Sequence, residues 1–442
     1  MNRGLVSGLL GCAALGASVA ARAQAVVPAP PPPVEVESEN DTEGYTPPAS
    51  GPGAAPAVAV DGYIDVGWAN AQGDGTSFPP GDTRLPADYG VDPFAPAVNS
   101  RGDVASIDPH GQFTNGFLPH SMGIGGNPSF FVNQVAVELK YTPPSTPLMF
   151  FSRFYALPRF SPVGDATRLL VQQAFGRVVP FDSLEFALAV GKFDSVFGIE
   201  YLENESNIRT GITPSLIARY TTGQSIGAKA FYRLQLAPLW SALSLNVSVT
   251  NSGTFVDVLQ TPDISLTGVP VGAARLGYEL NLPRVQVKLG ASGMYGPRND
   301  QSDRTATQQA VGGDLRVALF GFYANGELIK VDQDEGGPKT NGNGSFILAS
   351  AFHARGFYGQ LAYALAVDAG PLHKITPYAR YEQRHAWFDG FTPITVNRFT
   401  AGVRVDLWDS VIVKGEQLWN GELEGAPKVA NNVTTASVVY SW

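Results

Sequence analysis

The chain has 442 residues, and its 30 Lys and Arg against 39 Asp and Glu give a net charge of −9, which argues against nucleic acid as a partner because that binding needs a basic stripe. Charged residues make up 16% and aromatic residues 11%, whereas soluble domains carry about 25% charge; with mean hydropathy near zero, this is the mixture of a chain with one lipid face and one wet face. Cys12 is the single cysteine and lies in a segment expected to be removed, which excludes disulfides, thiolate nucleophiles and thiolate metal sites from the mature chain.

The first elements in chain order are targeting segments. Arg3 precedes an apolar, small-residue run over residues 5–21, and Ala21-Arg22-Ala23 supplies a cleavage site, so residues 1–23 read as a signal peptide with the mature chain starting at Gln24. A cut after Ala25 is the neighbouring alternative. The Gly and Ala in the run speak against a membrane anchor, which needs about 20 strongly apolar residues. Loss of Arg3 and Arg22 leaves 28 basic against 39 acidic residues, a net charge of −11. Residues 24–57 form a tail that Pro28, Pro30, Pro47, Pro48, Pro52 and Pro56 hold extended, with Glu35, Glu37, Glu39, Asp41 and Glu43 making it acidic. It reads as a solvated periplasmic tether or as a contact with the cell wall.

From residue 58 to Trp442 one pattern repeats: segments of roughly ten residues alternate apolar and polar, the period of a strand with two unlike faces. Leu243, Leu245, Val247 and Val249, for example, alternate with Ser244, Asn246, Ser248 and Thr250. Strands are expected over 58–69, 129–141, 147–157, 168–178, 183–193, 222–236, 241–250, 271–282, 284–294, 309–320, 321–331, 354–367, 373–385, 396–407, 410–419 and 432–442. Tight turns at 142–146, 179–182, 237–240, 282–283, 320–321, 368–372 and 408–409 alternate with longer connections. The expectation is an all-β fold: a transmembrane antiparallel up-and-down β-barrel of about 16 strands, with 14 or 18 as alternatives and residues 344–353 as the uncertain segment. An even count puts both termini in the periplasm, and lipid requires the sheet to close because it cannot satisfy a free edge. Ala436, Val438, Tyr440 and Trp442 alternate outward and end the chain on an aromatic, a terminal signal of the kind read by the barrel-insertion machinery.

Several stretches resemble the porin family that includes the phosphate-selective porins O and P. Residues 131–139 (Phe-Val-Asn-Gln-Val-Ala-Val-Glu-Leu) resemble its second strand, and Gly191-Lys192-Phe193 with Gly198 and Glu200 resembles the start of its third outer loop. Thr222-Gly223 is similar to the descent from that loop, and residues 399–404 with Lys414-Gly415-Glu416 resemble its late hairpin. The resemblance implies a passive diffusion pore in the outer membrane of a Gram-negative bacterium, reached through the periplasm, assembled as a homotrimer, with outer-membrane lipid and small polar solutes as partners and no cofactor. Residues 194–212 depart from the lysine-rich loop of phosphate-selective members: Asp194, Glu200, Glu203 and Glu205 stand against Arg209. That balance points away from phosphate.

With apolar residues toward lipid, the alternate positions line the lumen. The basic liners are then Arg153, Lys229, Arg233, Arg275, Lys288, Arg316, Arg380, Arg384, Arg398, Arg404 and Lys414, and the acidic ones Glu138, Glu185, Glu279, Asp314, Glu327, Glu382, Asp406 and Glu416. Charge rings set ion preference in pores, so the basic excess predicts a mild anion preference. In the plainer alternative, these charges pair across neighbouring strands and only hold the wall together. Glu200, Glu203, Glu205 and Arg209 are candidates for a segment that folds inward and narrows the pore, against an outer loop that never enters it. The long loop 70–128 could cover the mouth or meet another subunit, and a barrel with a plugged lumen, acting as an adhesin or receptor through such loops, is the alternative function. Arg101-Gly102-Asp103 reads as a chance match to an adhesion tripeptide. Asp332, Asp334 and Glu335 miss the EF-hand spacing and read as solvated acids before a cation site. His110, His120, His353, His373 and His385 fall in no nucleophile motif or metal-ligand spacing, so neither an enzyme nor a metal site is expected.

Overall fold

The computed structural model describes residues 57–71, 129–156, 169–251, 267–298, 305–335 and 351–442, apart from residues 145, 182–183, 237–239, 391–392, 426–429 and 431. The signal segment, the tail up to residue 56, residues 72–128 with the Arg-Gly-Asp tripeptide, and residues 344–350 lie outside the described residues.

Alternation makes strands here because each residue pair places one side chain outward and one inward, and sixteen such strands are present among the described residues. They are β1 (Ala57–Ala71), β2 (Ser129–Thr142), β3 (Leu148–Ala156), β4 (Leu169–Val178), β5 (Glu185–Asp194), β6 (Gln224–Leu236), β7 (Ser241–Thr250) and β8 (Val271–Leu282). The second half comprises β9 (Val285–Pro297), β10 (Thr307–Leu319), β11 (Phe322–Gln333), β12 (Phe352–Tyr363, continued past Ala364 by Leu365–Ala369), β13 (Leu372–Phe388), β14 (Ile394–Leu407), β15 (Val411–Glu422) and β16 (Val433–Ser441). Each strand pairs antiparallel with its sequence neighbours. β1 also pairs with β16, Tyr63 opposite Ser441, so no edge is left open. The terminal residue secures this seam: Trp442 N–H donates to the Gly62 carbonyl (3.1 Å) and Gly62 N–H to the Trp442 carbonyl (3.3 Å).

Strand boundaries follow the sequence pattern to within three residues, and two of the shifts alter the reading. β12 begins at Phe352, so part of the uncertain 344–353 segment is strand. β6 begins at Gln224 rather than 222, which lengthens the connection before it. Short turns gather at one end of the barrel. Phe320 (φ 48°) and Gly321 (φ 86°) both take positive φ, the combination a two-residue hairpin of matching twist requires.

The two faces differ as the pattern requires. On β7, Leu245, Val247 and Val249 are exposed while Ser244, Asn246 and Ser248 are buried. Exposed aromatics stand at the turn end, where Phe181, Trp240, Phe320 and Trp408 project. A second exposed row, Tyr381, Phe399 and Trp419, follows the register across β13–β15. Such rows are the girdles of barrels that sit in a bilayer. Leu328, at mid-β11, is 61% exposed. Leu328→Arg is therefore expected to destabilise the folded barrel by about 2–4 kcal/mol, the range for an arginine at the bilayer midplane, read as urea unfolding in lipid vesicles. An unshifted midpoint would contradict the lipid-facing assignment of this face.

Candidate functional site

The alternation breaks after Asp194, and residues 195–223 fold into the barrel interior instead of leaving it. The neck of this segment is closed by Ser195 N–H donating to the Gly223 carbonyl (2.9 Å). Asp194, the last residue of β5, anchors the neck by accepting from the side chains of Gln172 (3.0 Å) and Gln224 (2.8 Å), and from Gln173. The segment holds a 3-10 turn (Glu200–Glu203) and a one-turn helix, α1 (Ala218–Thr221). Most of its side chains are buried, Phe197, Leu216, Ile217 and Tyr220 completely.

A segment this irregular exposes backbone N–H and C=O groups that need partners, and the wall supplies them. On one side, Glu327 of β11 faces the N–H groups of Ile199 and Glu200 (both 3.3 Å), Ser292 Oγ of β9 accepts from Gly198 N–H (3.0 Å), and Arg316 of β10 donates to the Ile199 carbonyl (3.0 Å). On the second side, the Glu205 carboxylate accepts from Arg153 Nη1 (2.7 Å), from the Tyr63 hydroxyl (2.8 Å) and from the Tyr155 hydroxyl, while Ser206 Oγ donates to Asp65 (2.8 Å). On the third, Lys414 Nζ meets the carbonyls of Ser206, Arg209 and Gly211 (2.5, 2.6 and 3.0 Å), and Arg404 those of Ile208 (2.8 Å) and Arg209 (3.1 Å). Glu416 accepts the N–H groups of Ile212 (2.7 Å) and Thr213 (3.0 Å). Glu382 accepts that of Leu216 (2.5 Å), Arg380 reaches the Thr213 carbonyl (2.7 Å), Arg398 that of Pro214, and Arg384 the Tyr220 hydroxyl (3.0 Å). Wall glutamates thus take backbone N–H groups while wall cations take carbonyls.

The remaining strand charges engage one another within the wall, on the same strand, on neighbouring strands or one strand further. Arg153 also pairs with Glu138 (2.7 Å), Arg233 with Glu185 (2.9 Å) and Glu279 (3.1 Å), Lys288 with Glu279 (3.5 Å), Arg275 with Asp314 (2.7 Å), and Arg404 with Asp406 (2.8 Å). Lys229 lies over the Phe193 ring at 4.9 Å. Of the inward-segment candidates, Glu203 accepts from Tyr323 (2.8 Å) and Asn325 (3.2 Å), and Glu200 binds Ser215 N–H (2.6 Å). Burial pushes the Glu200 carboxyl above its ordinary range against the opposing pull of Ser215. Arg209 donates to the Asn204 carbonyl (3.0 Å) within the segment.

The sequence pattern did not single out Asp65 or the stretch from Thr213 to Tyr220, and it named Asp194 only among the acids of the segment, whereas all of these take part in this network. The loss of alternation at residues 212–221 was the available signal. Asp332 is engaged by Lys330 (2.7 Å) and His353 (2.8 Å), and Asp334 accepts from Thr307 N–H (3.0 Å); no cluster of three or more metal-ligating residues occurs among the described residues. A cavity between the inward segment and β11–β13 is lined by Glu200, Glu203, Asn204, Arg209, Pro214, Thr222, Asn325, Tyr358, Gln360 and Arg380.

Gly198 shows how closely the segment is fitted. Its φ is +81°, and a Cβ there would overlap the Glu327 carboxylate. Gly198→Ala is expected to displace the segment's first turn at a cost of about 1–2 kcal/mol from the left-handed backbone alone. A lowered thermal midpoint together with altered single-channel current is the expected readout, and a wild-type midpoint would show that the turn is not held as described.

By fold the barrel is similar to solved outer-membrane β-barrels. The outer membrane channel DcaP of Acinetobacter baumannii aligns with a TM-score of 0.50 at 10% identity, over 88% of this chain and 98% of its own. The anion-selective porin of Comamonas acidovorans aligns with a TM-score of 0.47 at 9% identity, over 88% of this chain and 100% of its own. OmpT of Vibrio cholerae gives 0.47 at 11% identity, over 88% and 98%. No protein-family model matches the chain, and no curated protein matches it.

Proposed function

We propose that this protein is an outer-membrane porin that lets small polar solutes diffuse passively, with residues 195–223 setting the narrowest part of the passage. The observation that carries this reading is the inward segment fastened by wall charges from three sides, which holds a constriction at fixed width. Outward apolar strands and aromatic rows support a place in outer-membrane lipid. Ion preference on this reading is weak. The eleven basic and eight acidic strand positions become twelve and eleven once Glu200, Glu203, Glu205 and Arg209 are included, and most of these charges already face a partner.

The same three-sided fastening also favours a second reading, a plugged barrel that acts through its outer loops. Single-channel recording of the purified mature chain in a planar bilayer under a salt gradient separates the two. The porin reading expects discrete open steps and a small reversal potential of anionic sign. A folded, heat-modifiable barrel that gives no steps would exclude it in favour of the plugged form.

A further inference from the structure

On the outer face of three neighbouring strands, one row of the register carries only nitrogen bases. Lys330 of β11 pairs with Arg355 of β12, and Arg355 pairs with His385 of β13. The alternation fixes the face: Phe352 and Ala354 are buried while Phe357 is exposed, and Ile329 is buried while Leu328 is exposed, so Arg355 and Lys330 point away from the lumen. His385 stands four residues beyond Tyr381 of the outer aromatic row, about 13 Å of strand, so the row climbs out of the hydrocarbon band to headgroup level. Below it on the same face lie Leu328, Phe357 and Tyr381, the last two with ring centroids 6.1 Å apart. The face is apolar first and cationic beyond.

Like charges directly opposite each other in a ladder are destabilising, and the protein only half neutralises this pair. Lys330 has Asp332 (2.7 Å), a carboxylate shared with His353 (2.8 Å), and Asp389 stands beside that same histidine (3.4 Å). His385 has the Thr395 hydroxyl (2.6 Å). Arg355 is exposed and makes no ion pair or hydrogen bond among the described residues. A guanidinium presents paired donors that match a phosphate, and the long Lys330 stem can lie along apolar surface while its ammonium reaches the same level. An apolar floor under a cationic row fits an amphiphile, whereas a free anion would gain nothing from the floor. We propose that Lys330 and Arg355 hold the phosphate of an outer-leaflet lipid whose acyl chains lie along Leu328 and Phe357.

Lipid binding here requires the barrel's place in the outer membrane but no conduction, so this site and the pore fail separately. Native mass spectrometry of the full mature barrel in neutral detergent tests it. Diphosphorylated lipid A is the probe, and the same lipid stripped of its phosphates is the control. The wild type is expected to retain the phosphorylated form at concentrations where the control is lost. In Arg355→Gln the half-saturating concentration of the probe should rise about tenfold, the effect of one charge-assisted hydrogen bond. Lys330→Gln should shift it in the same direction, and serves if the arginine variant does not fold. Equal retention of the stripped lipid, or an unshifted half-saturation in a folded variant, would overturn the site. A multimer that disperses in Arg355→Gln while lipid retention stays the same would give the row to a second copy of the chain, and would overturn it as well.

Discussion

Excising residues 201–213 is expected to raise the single-channel conductance by roughly a factor of two or more, because current through a pore is limited at its narrowest point. The excision is geometrically mild. The Glu200 carboxylate lies 2.6 Å from Ser215 N, so one or two glycines can join the cut ends without moving the neck at Ser195 and Gly223. It removes the partners that Lys414, Arg404 and Glu416 have in the segment, leaving Arg404 with Asp406 and Glu416 with Tyr378, and water can solvate these groups once the space opens. The reversal potential should move toward that of the wall alone, which loses Glu203, Glu205 and Arg209 and keeps its basic excess. A folded variant with wild-type conductance would show that the segment does not limit the current, and an increase without any change in selectivity would place the ion filter elsewhere.

The barrel was legible because its physics is local. Leu245, Val247 and Val249 against Ser244, Asn246 and Ser248 state the two faces of β7 within ten residues, and Val438, Tyr440 and Trp442 do the same for β16. The start of the inward segment was also legible, since Gly191-Lys192-Phe193 and the end of alternation mark it. Its far end was not. Thr222-Gly223 resembles a strand start, whereas the strand begins at Gln224 and the preceding turn of helix belongs to the segment. The use of the wall charges was equally hidden. An inward glutamate has the same pattern whether it faces water, an arginine or a backbone N–H, and the pairing of Leu216 with Glu382 spans 166 positions. Alternation fixes which face a side chain is on, but not what folds back to meet it.

Replacing Glu382 by alanine is expected to cost about 3–5 kcal/mol of barrel stability, the penalty for stranding buried charge after removing its counter-ion. Glu382 and Arg398 have no exposure and Arg380 only 4%. The carboxylate accepts from Arg380 Nε (2.9 Å), from Arg398 Nε (2.8 Å) and Nη2 (3.0 Å), and from Leu216 N–H of the inward segment (2.5 Å). Two guanidinium groups therefore share one acid, and its loss leaves both facing each other and the Pro214 carbonyl. Water entering the alanine cavity offsets part of the penalty, which places the expectation at the lower end of the range. Removing one cation as well separates the two contributions. In Glu382→Ala with Arg398→Met, the charge imbalance is relieved and at least 1 kcal/mol should return, since breaking a buried pair costs more than replacing it. Urea unfolding in lipid vesicles reads the stability, and single-channel current read beside it should become noisier in Glu382→Ala as Leu216 loses its acceptor. An additive double mutant would show that water already screens this cluster and that packing, rather than the ion pairs, holds the segment in place.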